Sequence, residues 1–442
     1  MPDISRRSVL RTVSGMGLGL LAAPALAGCG TSSAAPLRSG RAKIRLWTHD
    51  PDYIKIFQTG AKDPGLMRGS RYDYRWDVTS SAPADIVTRL IAQAVANGDT
   101  PDLVGLNIDQ FPRVMGSSIA KNLFVDLTDT VRPFGEDLLK LAPYAVDGVP
   151  YGLESGNAIT VLYYRQDLFE KYKIPETAET WEEFLKHGER VSTDHKVSLG
   201  MISTGDNGSI VNGFLQFLLQ RGGGFFNADG DLILDSPEAL EVLEFMVRGV
   251  RSGALLALPD PYGSACAAAL KSGRLAATAM PNWYNAAGLQ ANVPEQKGRW
   301  RIRTLPRFSG GGHIASTMGG TAFAVVKDKA NTQAALEVLR RVYLSREGQI
   351  LRYRNGGYLP TLEPLYKDPE LISTKDEFLG GQQAFGTYRT AAADLPLFYQ
   401  AASMQILADV FGGPVLDALK GRTSPAAALK AGLKAYRQQV KR

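Results

Sequence analysis

Cysteine is scarce in this chain, with only Cys29 and Cys266 among 442 residues. No Cys/His cluster has the spacing of a zinc site, and the four histidines, His49, His187, His195 and His313, are scattered. Gly-x-Ser-x-Gly and His-Glu-x-x-His are both absent, which removes the commonest hydrolase and metalloprotease signatures. Gly222–Gly224 and Gly310–Gly312 lack a following Lys-Ser/Thr pair, so they read as loops rather than phosphate cradles. After residue 28 no apolar run is long enough to cross a bilayer. Basic residues exceed acidic ones only slightly, 50 to 44, a formal charge of +6. No basic stripe with interleaved aromatics appears, which argues against a nucleic-acid partner. Nothing in the sequence calls for a cofactor or a metal.

What is present begins at the N-terminus. Ser5-Arg6-Arg7-Ser8-Val9-Leu10 resembles a twin-arginine export signature. An apolar run from Val13 to Ala27 follows, too short for a stop-transfer helix, and ends in Leu26-Ala27-Gly28-Cys29. Charge, apolar run and small-residue exit in that order read as a signal over residues 1–28 with a lipobox, making Cys29 an acylation site. Residues 29–40, small, polar and Pro/Gly-containing, then form a lipidated tether. Residues 1–28 carry Arg6, Arg7, Arg11 and Asp3, so the mature chain keeps about +6 − 2 = +4. With Cys29 acylated, Cys266 has no disulfide partner, and its helix-like apolar surroundings predict a buried, inert thiol.

The remaining 442 − 28 = 414 residues are too many for one ordinary core and predict two lobes. Strand-like and helix-like runs alternate throughout. Lys43–Trp47, Pro101–Leu106, Ile159–Tyr164, Leu275–Met280 and Thr321–Val326 read as strands. Helical periods run from Pro83, Asp167, Thr180, Ser236, Asn331 and Ser424, with Thr180-Trp-Glu-Glu183 as a capping box. The fold class is α/β.

Polar and aromatic residues gather where strands end, the usual ligand position in open α/β sheets. They are His49 and Asp50, Asn107 and Asp109, Glu154 and Asn157, Asn282 with Trp283 and Tyr284, Gly319 and Gly320, and Tyr358. Taken singly, a Trp is more often core and an Asn more often a turn residue. Together they suit a sugar, whose C–H face packs on aromatic rings and whose hydroxyls need amide or carboxylate partners.

The chain resembles the extracellular solute-binding proteins of ABC importers, in the carbohydrate-binding class of maltose- and glycerol-phosphate-binding proteins. The resemblance runs from Lys43 to about Tyr436. It is carried by Val149–Gly152 leading into Val161–Phe169, Thr180–Phe184, Arg221–Phe226, Leu270–Ala277 ending at Trp283, Met318–Gly320 and Gly357–Pro360. It implies a two-lobed periplasmic-binding-protein fold with discontinuous lobes and a hinge of crossover strands. Lobe 1 is expected at 41–153 and 319–372, and lobe 2 at 154–318 and 373–442. Crossovers would fall near Gly152–Asn157 and Ser316–Gly320. The resemblance also implies ligand contacts from the loop after the first strand, the second-crossover glycines, an aromatic near Trp283, and Tyr358. Arg389 lies near the place of a ligand-contacting arginine in the glycerol-phosphate type.

Glu154 departs from the family's usual uncharged residue. A carboxylate in the cleft favours a hydroxyl-rich or cationic ligand, such as an amino sugar, and opposes a phosphate. The expected function is a non-enzymatic, monomeric receptor that hands a carbohydrate to an ABC permease in the membrane. The alternatives are a glycerophosphodiester receptor of the same class, an exported glycoside hydrolase and an adhesin. The lipobox reading makes a direct prediction: Cys29→Ala moves the protein from the membrane fraction to the soluble one. Continued membrane retention of the variant would contradict it.

Overall fold

The computed structural model describes residues 35–440. The signal-like segment and Cys29 lie outside the described residues. Thirteen strands occur within them. In order these are β1 (Gly40–Thr48), β2 (Tyr72–Ser80), β3 (Leu103–Asn107), β4 (Ala145–Val146), β5 (Val149–Pro150), β6 (Leu153–Glu154) and β7 (Ile159–Arg165). There follow β8 (Met201–Ser203), β9 (Leu256–Leu258), β10 (Ala277–Pro281), β11 (Trp300–Arg303), β12 (Ser316–Thr317) and β13 (Thr321–Val325).

The first main sheet has the order β2-β1-β3-β13-β6. β1 pairs in parallel with β2 and β3, and β13 runs antiparallel to β3 and β6. Its central strands β3 and β13 are covered on both faces and apolar at nearly every position, while β1 and the edge strand β2 alternate with charged residues. Ile44, Leu46, Phe323 and Val325 point towards one core, shared with the helices Pro51–Gly60 and Thr332–Leu344. Trp47, Val104, Leu106, Ala322 and Ala324 point to the other, under the helix Pro83–Val95. The period-two alternation of strand side chains makes that division.

The second sheet is built around β7, whose seven residues are all buried. β10 and β11 flank it and β12 pairs with its start, all antiparallel. Leu162, Tyr164 and Ala277 from this sheet enter a core made with the helices Trp181–His195, Asn207–Arg221, Pro237–Ser252 and Met404–Leu419. Trp181 lies in it, 1 % exposed, with its indole N–H donating to Gln220 Oε1 at 2.9 Å. Cys266 is also fully buried, as its apolar surroundings predict.

Helix starts follow the sequence signals. Thr180, Ser236 and Ser424 accept from the main-chain N–H groups of Glu183, Ala239 and Ala427 at 3.2 Å each. The capping box at Thr180 is displaced by one residue, since Glu183 accepts from the N–H of Glu179 rather than of Thr180. Glu179 and Trp181 exchange main-chain hydrogen bonds with Arg307, which holds this entry extended.

The chain leaves the first sheet after β6 and enters the second at β7, passing over residues 155–158. It returns between β12 and β13 over residues 318–320. A buried ion pair fastens the two passes together. Lys140 Nζ lies 3.3 Å from Glu154 Oε2, with the two side chains 6 % and 1 % exposed. The same ammonium donates to the Gly319 carbonyl at 3.0 Å. Glu154 Oε1 accepts from the N–H groups of Ser155 and Thr321, 3.0 Å each, and Tyr144 donates to Oε2 at 2.6 Å. Gly320 has φ +132°, and a Cβ there would sit 2.6 Å from Glu154 Oε2, so only glycine lets the returning pass lie against the carboxylate.

Breaking a buried pair strands the remaining charge. Lys140→Met is therefore predicted to lose about 3 kcal/mol of stability, and Glu154→Gln combined with Lys140→Met to lose less. Denaturant unfolding of the three proteins checks this. A double variant that loses as much stability as Lys140→Met alone, or more, would rule the coupling out.

Candidate ligand-binding cleft

Two adjoining cavities open where the passes run between the sheets. The first, of ≈ 430 Å³, is lined by His49, Asp50, Asp52, Tyr53 and Asn107 from the ends of β1 and β3 and the helix between them. Ser155–Ala158, Asn282 and Trp283, Gly319–Thr321 and Tyr358 close its other sides. The second, of ≈ 240 Å³, is lined by Asp109, Met201, Asn212, Gln216, Met280 and Met318 among others. Asn107, Tyr262, Trp283 and Gly319 line both, so the cavities form one two-chambered cleft with Trp283 at the junction. Two larger concavities, ≈ 720 and ≈ 760 Å³, lie on the outer surface of the first lobe and share no residue with the cleft.

The cleft's polar groups divide into those already engaged by the protein and those free. Asp50 caps the helix Pro51–Gly60, accepting from the Asp52 N–H at 2.8 Å, while its other oxygen accepts from Tyr358 Oη at 2.8 Å. Burial and this neighbouring carboxylate push the Tyr358 hydroxyl well above the usual tyrosine range, so it stays a donor. Tyr53 stacks on Tyr358, centroids 4.9 Å apart, and its hydroxyl pairs with Ser155 Oγ at 3.0 Å. Asn282 donates to the Gly357 carbonyl at 2.9 Å and accepts from the Ile159 N–H at 3.1 Å. Asn157 donates to Tyr366 Oη at 3.3 Å. These groups shape the walls, and the Asn282–Gly357, Asn157–Tyr366 and Tyr53–Ser155 pairs also link the first sheet's side of the cleft to the second's.

The side chains of Asn107, Asp52 and Tyr262 and the indole N–H of Trp283 have no polar partner among the described residues, which leaves them free for a ligand. Burial holds His49 below its ordinary pKa although Asp50 and Asp109 oppose it, so its ring is neutral at pH 7. Burial raises Asp109 above the usual carboxylate range. Among the described residues no lysine or arginine lines either chamber.

Trp283 stands with one edge over Gly319, where φ is +75° and a Cβ would lie 3.5 Å from the indole. Tyr262 stacks on Trp283, centroids 6.0 Å apart at 29°, making an aromatic wall along the junction of the chambers. Tyr262 was not among the residues picked from the sequence. Its signal there is an aromatic in the turn-rich run Pro259-Asp-Pro-Tyr-Gly263, and in the fold it stays 43 % exposed despite its size.

Nine of the residues picked from the sequence line the first chamber: His49, Asp50, Asn107, Asn157, Asn282, Trp283, Gly319, Gly320 and Tyr358. Asp109 lines the second. Three expectations need correction. Glu154 does not face the cleft. It is buried and neutralised by Lys140, because β6 turns its side chain down into the seam between the passes. Tyr284 is fully buried beneath the cleft, where its hydroxyl donates to the Pro261 carbonyl at 2.9 Å and so positions the neighbouring Tyr262. Arg389 is exposed on the helix Ala384–Ala392 and lines neither chamber. Phe385, Tyr388 and Ala391 form the inward stripe of that helix, which leaves Arg389 on the outer side.

Two lobes joined by a pair of crossovers, with a polar, aromatic-walled cleft at the joint, define a solute receptor. The chain belongs to the family of bacterial extracellular solute-binding proteins, whose model matches residues 69–378. It is similar to the arabinooligosaccharide-binding protein of Bacillus subtilis, 24 % identical over 426 residues, covering 93 % of this chain and 95 % of that one. It is also similar to the lactose-binding protein of Rhizobium radiobacter, 26 % identical over 409 residues, covering 87 % and 92 %. Among solved structures it superposes on maltose-bound MalE3 of T. maritima with TM-score 0.70 at 18 % identity, covering 91 % of this chain and 100 % of that one. The sugar-binding protein MalE of Xanthomonas citri gives TM-score 0.72 at 15 % identity, covering 90 % and 98 %. No helix among the described residues is long and apolar enough to cross a membrane.

The aromatic wall generates a prediction. Trp283→Ala weakens ligand binding by about 2 kcal/mol, since it removes both apolar contact and stacking, while the apo protein unfolds close to wild type. Calorimetric titration beside thermal unfolding reads both, and undiminished affinity in the variant would remove Trp283 from the site.

Proposed function

We propose that the protein is the non-catalytic substrate receptor of an ABC importer, and that it captures a carbohydrate in the two-chambered cleft and hands it to a membrane permease. The observation that carries this reading is the stacked Trp283–Tyr262 wall set beside the unpartnered Asn107 amide. A pyranose ring lays its C–H face on the indole, while Asn107 and Asp52 meet its hydroxyls. The names of the relatives, receptors of arabinooligosaccharides and of lactose, support the same ligand class.

The ligand is a neutral sugar rather than an amino sugar. Glu154, the carboxylate that favoured a cation, is already matched by Lys140, and both oxygens of Asp50 are in use. A glycerophosphodiester is disfavoured on the same wall. Asp50, Asp52 and Asp109 line the chambers, and no lysine or arginine among the described residues does. The relatives are binding proteins, which supports a receptor over a glycoside hydrolase.

In this reading residues 41–153 with 319–372 make lobe 1, and 154–318 with 373–442 make lobe 2. The lobes close about the passes at 155–158 and 318–320, and the closed form docks on the permease. The protein works as a monomer outside the cytoplasm, exported on the twin-arginine signal and held to the membrane by the acylated Cys29.

A thermal-shift screen of residues 30–442 tests the ligand class. A ligand at about 100 times its dissociation constant adds roughly 2.7 kcal/mol of apparent stability. Neutral di- and oligosaccharides are expected to raise Tm, glycerophosphodiesters to leave it unchanged, and chromogenic glycosides to remain uncleaved. A shift with the phosphodiesters alone, or turnover of a glycoside, would refute the reading.

A further inference from the structure

The ≈ 720 Å³ groove on the first lobe is basic and lies where the chain enters the fold. Arg38, Arg71, Arg340 and Arg341 line it against a single acid, Glu337, a local charge of +4 − 1 = +3. The whole mature sequence has an excess of only about +6 − 2 = +4, so this one groove concentrates charge that the rest of the surface balances. Arg341 is engaged. It pairs with Glu337 at 3.0 Å and donates to the carbonyls of Leu66 and Arg68 at 2.8 and 3.1 Å. Arg38, Arg71 and Arg340 are exposed and have no acidic partner among the described residues.

The groove is fixed to the start of the chain. The Leu37 N–H donates to the Ala330 carbonyl at 2.8 Å, and Tyr72 Oη donates to the Leu37 carbonyl at 3.3 Å, so Leu37 is bound into the groove wall. Ala35, the first described residue, stands 35 − 29 = 6 residues after Cys29. Six residues span about 20 Å at full extension. With Cys29 acylated, the groove cannot move far from the bilayer, and the potential of an anionic surface decays over about 8 Å at physiological salt.

We propose that this groove docks the first lobe on the anionic phospholipid headgroups of the membrane that carries the protein. The guanidinium groups bind headgroup phosphates as paired N–H donors, which suits arginine rather than lysine. None of the groove residues lines either chamber of the cleft, so a docked lobe leaves the ligand site unoccupied. The proposal rests on the anchored receptor described above, since the short tether is what holds the groove near the lipid.

The test uses the mature chain carrying Cys29→Ala, so that lipid binding is read without acylation, while the anchor itself is tested separately by fractionation. Vesicles of phosphatidylcholine alone are compared with vesicles containing one-third phosphatidylglycerol in a sedimentation assay. Binding is expected only to the anionic vesicles and is lost at high salt. The triple variant Arg38→Gln, Arg71→Gln, Arg340→Gln should bind roughly fivefold more weakly per arginine, on the order of a hundredfold together. Its thermal unfolding should match the parent. A control with the same loss of charge on the other lobe, Arg251→Gln, Lys271→Gln, Arg274→Gln, should keep its affinity. No binding to anionic vesicles, equal binding to neutral ones, or an equal loss in the control would overturn the proposal.

Discussion

A carboxylate and an ammonium group, both shut away from water, sit where the two passes between the lobes run side by side. Burying Glu154 and Lys140 costs several kcal/mol per ion in desolvation, and attraction between them offsets that only with well-placed hydrogen bonds. Those bonds are all present: Ser155, Thr321 and Tyr144 supply the carboxylate, and the Gly319 carbonyl takes a proton of the ammonium. Each partner of the pair is therefore also a backbone clamp. The outgoing pass is held at Ser155, the returning pass at Gly319 and Thr321, and the mutual position of the two sheets follows from those points. Arg352, buried with its guanidinium 4.4 Å above the Tyr343 ring, donates to the Ser155 carbonyl and holds the outgoing pass from below.

The cleft inherits its geometry from this seam. Gly319 lies under the Trp283 indole because Lys140 holds its carbonyl from behind, and Thr321 closes the first chamber because its N–H is held by Glu154. On the opposite side Tyr284 fixes the Pro261 carbonyl and so sets Tyr262 against Trp283. The groups that face a ligand are the few that this scaffold leaves without partners. The division of labour explains how a small chamber can hold so many polar residues. Several of them are satisfied by the protein itself, Asn282 by Gly357 across the lobes and Asp50 by Tyr358 within the first lobe.

The two surfaces of functional interest are kept apart by the same architecture. The cleft sits at the carboxyl ends of β1 and β3, where the loops leave the sheet. The basic groove lies beside Leu37, just before β1 begins, and beside the helix Thr332–Leu344. A strand of nine residues separates the start of the chain from the ligand loop, so attachment at one end leaves the other open.

Much of this was legible in the residues. Apolar periodicity located β1, β3, β7, β10 and β13 and the helices beginning near Pro83, Asp167, Thr180, Ser236, Asn331 and Ser424, because a strand or helix that buries a face must repeat at 2 or 3.6 residues. The strand-end rule located His49, Asn107, Asn157, Asn282, Trp283 and Gly319, because side chains that follow a buried strand emerge at its open end. β2 escaped notice because its run, Tyr-Asp-Tyr-Arg-Trp-Asp-Val-Thr-Ser, carries charges along an edge strand. What the sequence by itself determined was the α/β class and most of the cleft wall, since these follow from local pattern, while the crossover segments were implied by the family resemblance. Only the tertiary structure decided which polar groups are free. Glu154, Tyr284 and Arg389 look like cleft residues in one dimension. Whether a side chain meets a ligand, a lysine or solvent depends on partners that lie far away in sequence, and Lys140 and Pro261 are such partners.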